Sequence, residues 1–187
     1  QTGKGVSDFH TGDRVVSNGN HAEYVVVNQN LCTRIPDNTD IKEASFTVLG
    51  SIALHGLRLS ETSLGSKVVV IGLGIIGQLV CRLAEAQGSE VIGIDPDTKR
   101  TDLSANFYTS VEEANMTNVD SVIITAATSS NEPIEVATKI ARNKAKIVVV
   151  GDIPLNISRN DFYYKELELV VSKSYGPGRY DKPVSYT

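Results

Sequence analysis

This 187-residue sequence predicts an α/β fold of the Rossmann-type, doubly wound kind, a parallel sheet covered by helices on both faces. Three observations predict it. Lys67–Ile71 is an apolar, β-branched run without polar alternation, as a strand buried on both faces requires. Gly72-Leu73-Gly74-Ile75-Ile76-Gly77 follows, and then an apolar stripe at helical spacing formed by Ile76, Leu79, Val80 and Leu83. Further apolar runs alternate with helical patterns as far as Ser172.

The glycine turn carries the first functional expectation. Gly72 permits a tight turn out of the strand, Gly74 lets the backbone approach a pyrophosphate, and Gly77 lets the helix lie close to the strand. Ile75 and Ile76 sit at the start of that helix, whose unpaired N–H groups and positive dipole end face the phosphates. Gly88 ends the helix, Glu90–Ile94 is the second strand, and Asp95 closes it 18 positions after Gly77. Strand, glycine turn, helix, strand and terminal acid in that order describe a dinucleotide-binding βαβ unit. Asp95 is expected to accept hydrogen bonds from the adenosine ribose and to repel a 2′-phosphate, which favours NAD over NADP. The alternative is a glycine-containing strand–helix turn that binds nothing.

The remaining elements follow in order. Arg14–Ser17, Ala22–Asn28 and Leu31–Ile35 read as short antiparallel strands, separated by Ser17-Asn18-Gly19-Asn20 and Asn28-Gln29-Asn30. From Ile41 the pattern becomes helical, with Ala44, Val48, Ile52, Ala53 and Leu57 on one face. Between Asp95 and the strand-like Phe107-Tyr108 there is little room for a crossover helix, so either the unit is abbreviated or residues are omitted near Ser104. Ser121–Thr125 is a strand, Asn131-Glu132-Pro133 starts a helix, and Lys146–Val150 is a strand stopped by Gly151-Asp152. A helical turn begins at Asp161-Phe162, and Glu168–Ser172 is the last strand. Ligands of such sheets bind at the carboxyl ends of the strands. Gly72–Gly77, Asp95, Thr125–Thr128 and Gly151–Pro154 are therefore expected to line one cleft.

Composition narrows the partners. A net charge of −4 and a pI near 5.4 supply no basic field for nucleic acid. No apolar stretch approaches membrane-spanning length, and no signal peptide is evident. Cys32 and Cys81 are too few for a disulfide framework and read as reduced core residues of a cytoplasmic protein.

Several segments resemble the medium-chain dehydrogenases/reductases, the superfamily of the zinc alcohol dehydrogenases. Thr11-Gly12-Asp13-Arg14-Val15 is similar to the turn of their GroES-like domain, His21-Ala22-Glu23-Tyr24-Val25 to a strand of it, and Ile35-Pro36-Asp37 to its stop. Phe46–Leu54 followed by the glycine turn resembles the linker helix and fingerprint, and Lys165-Glu166-Leu167 the approach to the returning strand. Ser174–Asp181 narrows the likeness to the dehydrogenase portion of two-domain oxidoreductases, which carry a glucose-fructose-oxidoreductase-like portion as well. The resemblance implies part of a GroES-like β domain at 1–46, a Rossmann domain at 47–173 and a return segment at 174–187 of a chain that is a fragment.

The departures bear on metal. The stretch holding the family's first zinc-binding Cys and its His-Glu pair is missing, and so is the Cys-rich structural lobe. The third catalytic-zinc ligand would fall near Thr47, whose hydroxyl is a poor zinc ligand. His10, His21 and His55 lack metal-ligand spacing and read as structural or surface residues, so no zinc is expected in this chain.

Around the cleft the resemblance also implies roles. Arg100 matches a basic residue beside the adenosine ribose, with a solvated helix charge as the alternative. Thr125 and Ala126 fall where the backbone passes the nicotinamide-side ribose. Gly151, Asp152 and Ile153 fall where main-chain groups hold the carboxamide, and Ser51 where a small hydroxyl residue approaches the nicotinamide. Gly176-Pro177-Gly178-Arg179 is a substrate-side loop or an exposed turn. Two functions stay open: NAD-dependent hydride transfer with an alcohol, sugar or polyol, or a non-catalytic NAD-binding module or inactive fragment. No general acid or base stands out. By analogy, a homodimer along Glu168–Ser172 is expected.

Overall fold

The computed structural model describes residues 1–104 and 106–179. Its N-terminal third holds one antiparallel pair, β1 (Val15–Ser17) with β2 (Cys32–Arg34), in which Val16 faces Thr33. Two helices follow, α1 (Ile41–Ala44) and α2 (Thr47–Leu59). The first is opened by the Asp40 carboxylate, which accepts from the Lys42 N–H at 2.7 Å.

Beyond Leu59 the chain alternates as an α/β fold should. In order come β3 (Lys67–Ile71), α3 (Ile75–Ala86), β4 (Glu90–Ile94), α4 (Thr98–Thr101), β5 (Phe107–Tyr108) and α5 (Val111–Ala114). They are followed by β6 (Val119–Ile124), α6 (Glu132–Ile140), β7 (Ala141–Val149), α7 (Arg159–Lys165) and β8 (Glu168–Val171). Six strands form one parallel sheet in the order β5-β4-β3-β6-β7-β8. The strand order reverses direction between β3 and β6, so the switch point, where such sheets bind ligands, lies beyond Ile71 and Ile124.

The side chains of β3 divide between two core layers. Val68 and Val70 pack with Ala53 and Leu57 of α2 and with Val80, Cys81 and Ala84 of α3. Val69 and Ile71 pack on the other face with Ile134, Ala137 and Ile140 of α6. A run apolar at every position is thus what two covered faces demand.

Three expectations need correction. Ala22–Asn28 forms no strand, and Tyr24 and Val26 are exposed. A strand needs a ladder partner, and β1 and β2 already pair with each other. β7 begins at Ala141, five residues before the expected Lys146, because Val119 pairs with Ala141 before the register jumps to Ser121 with Lys146. Lys144, at φ 59°, lies within that irregular stretch. The last helix begins at Arg159, ahead of Asp161. The crossover after Asp95 is abbreviated, as its length suggested: α4 has four residues and β5 only two, which pair with Gly93 and Ile94. Among the described residues no helix is long and apolar enough to cross a membrane. The expected return segment is described only as far as Arg179; positions 180–187 lie outside the described residues.

Candidate cofactor site at the carboxyl ends of the strands

Main-chain bonds stitch the carboxyl ends of β3, β6 and β7 together. The N–H groups of Thr125 and Ala126 donate to the Ile71 carbonyl at 2.8 and 3.1 Å, and those of Val150 and Gly151 to the Ile124 carbonyl at 2.8 and 3.0 Å. The Thr125 hydroxyl donates to the Gly72 carbonyl at 2.5 Å. This close weave leaves no room for side chains at two of the turn glycines. Gly72 has φ 98°, and a Cβ there would lie 2.6 Å from the Ala126 nitrogen. A Cβ on Gly77 would strike the Gly72 carbonyl oxygen, so this third residue of α3 has to be glycine. Gly151 is equally tight, against the Ala126 carbonyl.

Gly74 differs from these. Nothing lies within 4 Å of a Cβ placed on it, so the space above it is open. Gly74 is also the N-cap of α3, and no side chain caps that helix. The first N–H groups of a 12-residue helix therefore face open space with the positive end of its dipole. A bare cradle of this form fits a dinucleotide's pyrophosphate. Ile75 is exposed at the mouth, whereas Ile76 packs against the core, so only its main chain is available to a ligand.

Asp95 stands beside this turn and is 3% exposed. One carboxylate oxygen accepts from the Leu73 N–H at 2.7 Å and from Arg100 Nη1 at 3.0 Å, and the other accepts from the Asp97 N–H at 2.9 Å. Burial acts to raise its pKa, but the Leu73, Asp97 and Arg100 hydrogen bonds and the Arg100 charge together hold the carboxyl below its ordinary value. Arg100 also reaches Asp97 at 3.5 Å, so it is an ion-paired residue and not a freely solvated one. Of the four lone-pair positions on Asp95, about one remains for a ligand hydroxyl.

Ser51 lies apart from this group. It lines a cavity of about 130 Å³ between the first turns of α2, the β1–β2 module and Tyr175. α2 links the two places: Gly56 is so close to Val150 that a Cβ would approach its side chain to 2.6 Å. Ile153 packs its side chain against the core, and the Asp152 carbonyl accepts from the Thr128 N–H at 3.0 Å. A larger hollow of about 820 Å³ under the N-terminal residues touches none of the expected cofactor residues.

Two features had no signal in the sequence. Ser172 Oγ, just past β8, is buried and among the described residues has no hydrogen-bond partner. Asn18 Nδ2 donates to the Tyr175 hydroxyl at 3.1 Å across the wall of the small cavity. Both cysteines are free thiols; Cys32 is half-buried, and burial, helped by the Glu85 charge, pushes Cys81 up to about 12. Among the described residues no group of three or more His, Cys, Asp or Glu is placed to hold a metal ion.

Residues 47–162 match the family of the D-isomer specific 2-hydroxyacid dehydrogenase, NAD binding domain. The chain belongs to this family of NAD-binding domains. The curated relatives it resembles are sugar and polyol dehydrogenases. It is 29% identical to 2-dehydro-3-deoxy-L-galactonate 5-dehydrogenase of Pseudoalteromonas atlantica, over 79% of this chain and 47% of the relative. It is 35% identical to D-guloside 3-dehydrogenase of Escherichia coli, over 56% of this chain and 31% of the relative. The chain therefore spans half or less of the length of these curated relatives. Among solved structures, one described as a zinc-binding dehydrogenase from Sinorhizobium meliloti, bound to NADP, superposes with a TM-score of 0.73 at 26% identity, covering 84% of this chain and 52% of that one. Galactitol-1-phosphate dehydrogenase of Escherichia coli shares the fold, with a TM-score of 0.79 at 22% identity, covering 92% of this chain and 64% of that one.

Proposed function

We propose that this chain holds NAD(H) across the switch point, as the nucleotide-binding part of an oxidoreductase acting on an alcohol, sugar or polyol. The observation that carries the reading is the open space over Gly74, at an uncapped helix start, with the Asp95 carboxylate beside it. The pyrophosphate would rest on the main chain of Gly74, Ile75 and Ile76, with Gly72 and Gly77 giving the bend its shape. The adenosine ribose would meet Asp95 and Arg100. Thr125, Ala126, Gly151 and Ile153 would hold the nicotinamide half by main-chain groups, with Ser51 near the ring. When bound, nicotinamide gives or takes a hydride, and the protein's part is to orient it and exclude water. The sugar and polyol dehydrogenases among the relatives support the substrate class.

NAD is preferred in this reading, because a buried carboxylate beside the ribose repels a 2′-phosphate. Arg100, already shared between Asp95 and Asp97, offsets that repulsion only in part. No zinc takes part in this chain's contribution. The domain division follows the same lines: a partial GroES-like module over 1–46, the nucleotide domain over 47–173 and a return segment over 174–187. A homodimer along edge strand β8, where Val171 is 59% exposed, belongs to the same proposal, and sedimentation of a Val171→Lys variant as a monomer checks it.

Calorimetry with NADH and NADPH tests the cofactor site. NADH binding is lost in Gly74→Glu, whose side chain fills the open space with like charge. NADPH binds the wild type more weakly than NADH. Full NADH affinity in Gly74→Glu overturns the site, and tighter NADPH binding overturns the role given to Asp95.

A further inference from the structure

The small cavity beside Ser51 supplies something the cofactor site lacks: a group able to give up a proton. Among the described residues no carboxylate, imidazole, ammonium or guanidinium group lines it. Its titratable lining groups are the Tyr175 phenol and the Cys32 thiol, and burial raises Cys32. The lining hydroxyls of α2 are already committed. Ser51 donates to the Thr47 carbonyl at 2.8 Å, and Thr47 donates to the Ala44 carbonyl at 2.7 Å. Both can therefore only accept from a ligand.

Tyr175 is held the opposite way round. Its oxygen accepts from Asn18 Nδ2 at 3.1 Å, so its own O–H is turned loose from that bond, and among the described residues it meets no acceptor. Its backbone is pinned on the next residue, where Gly176 packs so tightly on His55 of α2 that a Cβ would lie 2.6 Å from the imidazole. The Arg179 guanidinium lies 5.9 Å from the ring centroid. Ser51, which lines the cavity, and Gly56, which packs on Val150 just past β7, are five residues apart on α2, about 7–8 Å along its axis. The volume, about 130 Å³, equals that of about four waters, enough for the reacting end of a polyol and not for a whole sugar.

We propose that Tyr175 is the proton donor to the substrate's oxygen, oriented by Asn18, with the Ser51 and Thr47 oxygens accepting from neighbouring substrate hydroxyls. This rests on the oxidoreductase reading above. In carbonyl reduction the substrate carbon gains the hydride, the C=O π pair moves to oxygen, and that oxygen takes the phenol proton. The phenolate left behind recovers a proton from water. Alcohol oxidation is the reverse, with the hydroxyl proton passing to the phenolate as the carbon loses its hydride.

The test uses the full chain and 2,2,2-trifluoroethanol, a small alcohol whose binding is read by 19F NMR in the presence of NAD. Tyr175→Phe keeps the ring and removes only the hydroxyl. It weakens trifluoroethanol about tenfold, the loss expected for one hydrogen bond, and leaves NADH affinity unchanged. Asn18→Ala weakens the probe less, and Tyr163→Phe, an exposed tyrosine elsewhere, not at all. With D-xylulose and NADH, Tyr175→Phe lowers kcat by about 100-fold or more without raising KM for NADH. Unchanged probe affinity or unchanged kcat in Tyr175→Phe overturns the assignment, as does a wild type that shows no saturable trifluoroethanol binding. A wild type that fails to bind NADH overturns the oxidoreductase reading instead, while probe binding to the chain alone still reports the Tyr175 contact.

Discussion

Asp95 holds the Leu73 N–H before any ligand arrives, so its carboxylate shapes the glycine turn as well as the ribose side of the proposed site. Asp95→Asn would set an amide N–H against the Leu73, Asp97 or Arg100 donors, whichever way the side chain turns. A buried donor left facing another donor costs about 1–3 kcal/mol. Urea melts of the cofactor-free variant should show that loss, which separates the structural role of the residue from its effect on NADH. Ser172 is the opposite case: among the described residues its buried hydroxyl finds no partner, and Ser172→Ala removes the desolvation cost. The variant should gain about 1 kcal/mol in the same melts. At this scale the sequence revealed what is local. Asp95 was legible because the end of a strand and a glycine turn 18 positions upstream of it define its place. Asn18 and Tyr175 are 157 residues apart, and nothing near either of them announces the other.

Among the elements, those whose apolar pattern fixes both type and length emerged where expected: β3, α3, β4 and α6. Elements that depend on a distant partner did not. Ala22–Asn28 has the composition of a strand, but composition cannot supply a ladder, and the segment stays irregular. The extension of β7 back to Ala141 follows from its pairing with Val119, which no local pattern marks. Lys165 shows the same principle between helices. Standing in the last turn of α7, its ammonium donates to the carbonyls of Thr138, Lys139 and Ala141 at 2.7, 2.9 and 2.8 Å. Thr138 and Lys139 are among the residues whose carbonyls α6 leaves unpaired at its C-terminal end, and Ala141 is its C-cap and the first residue of β7. Lys165→Met keeps the apolar stem and removes all three bonds, and hydrogen bonds from a charged donor contribute about 1.5–3 kcal/mol apiece at most. Half-exposure of the site reduces that, so a total loss of about 1–3 kcal/mol is expected, with faster amide exchange confined to the end of α6.

For the whole molecule, the order of the six strands was implicit in the repeated βα units, since short right-handed crossovers leave few other arrangements. The electrostatic balance of the fold was not, because it depends on which charges tertiary contacts bring together. His55 packs against Gly176, and burial, with the Arg58 charge, lowers its pKa. A base with a lowered folded value takes up its proton more readily when unfolded. Stability linked to His55 is therefore full above about pH 6.5, its unfolded value, and declines as pH falls toward the lower folded one. Asp95 and Asp120 follow at lower pH. The Lys67 N–H and Arg142 hold Asp120 below its ordinary value against the opposing effect of burial, so both carboxylates stabilise the fold above about pH 3.9 and lose that contribution as pH drops through their folded values. Lys146 closes the other end. Hydrogen bonding to Glu61, then to Glu168 with both charges, raises its pKa despite burial, so its contribution is complete below about pH 10.4 and is lost as pH rises through the folded value. Urea midpoints measured across pH should thus fall in two acid stages, a shallow one beginning near pH 6.5 and a steeper one near pH 4. His55→Gln should flatten the first stage and leave the second in place. A midpoint that is level from pH 7 to 5 in the wild type would remove His55 from this account and leave the carboxylates as the sole source of acid sensitivity.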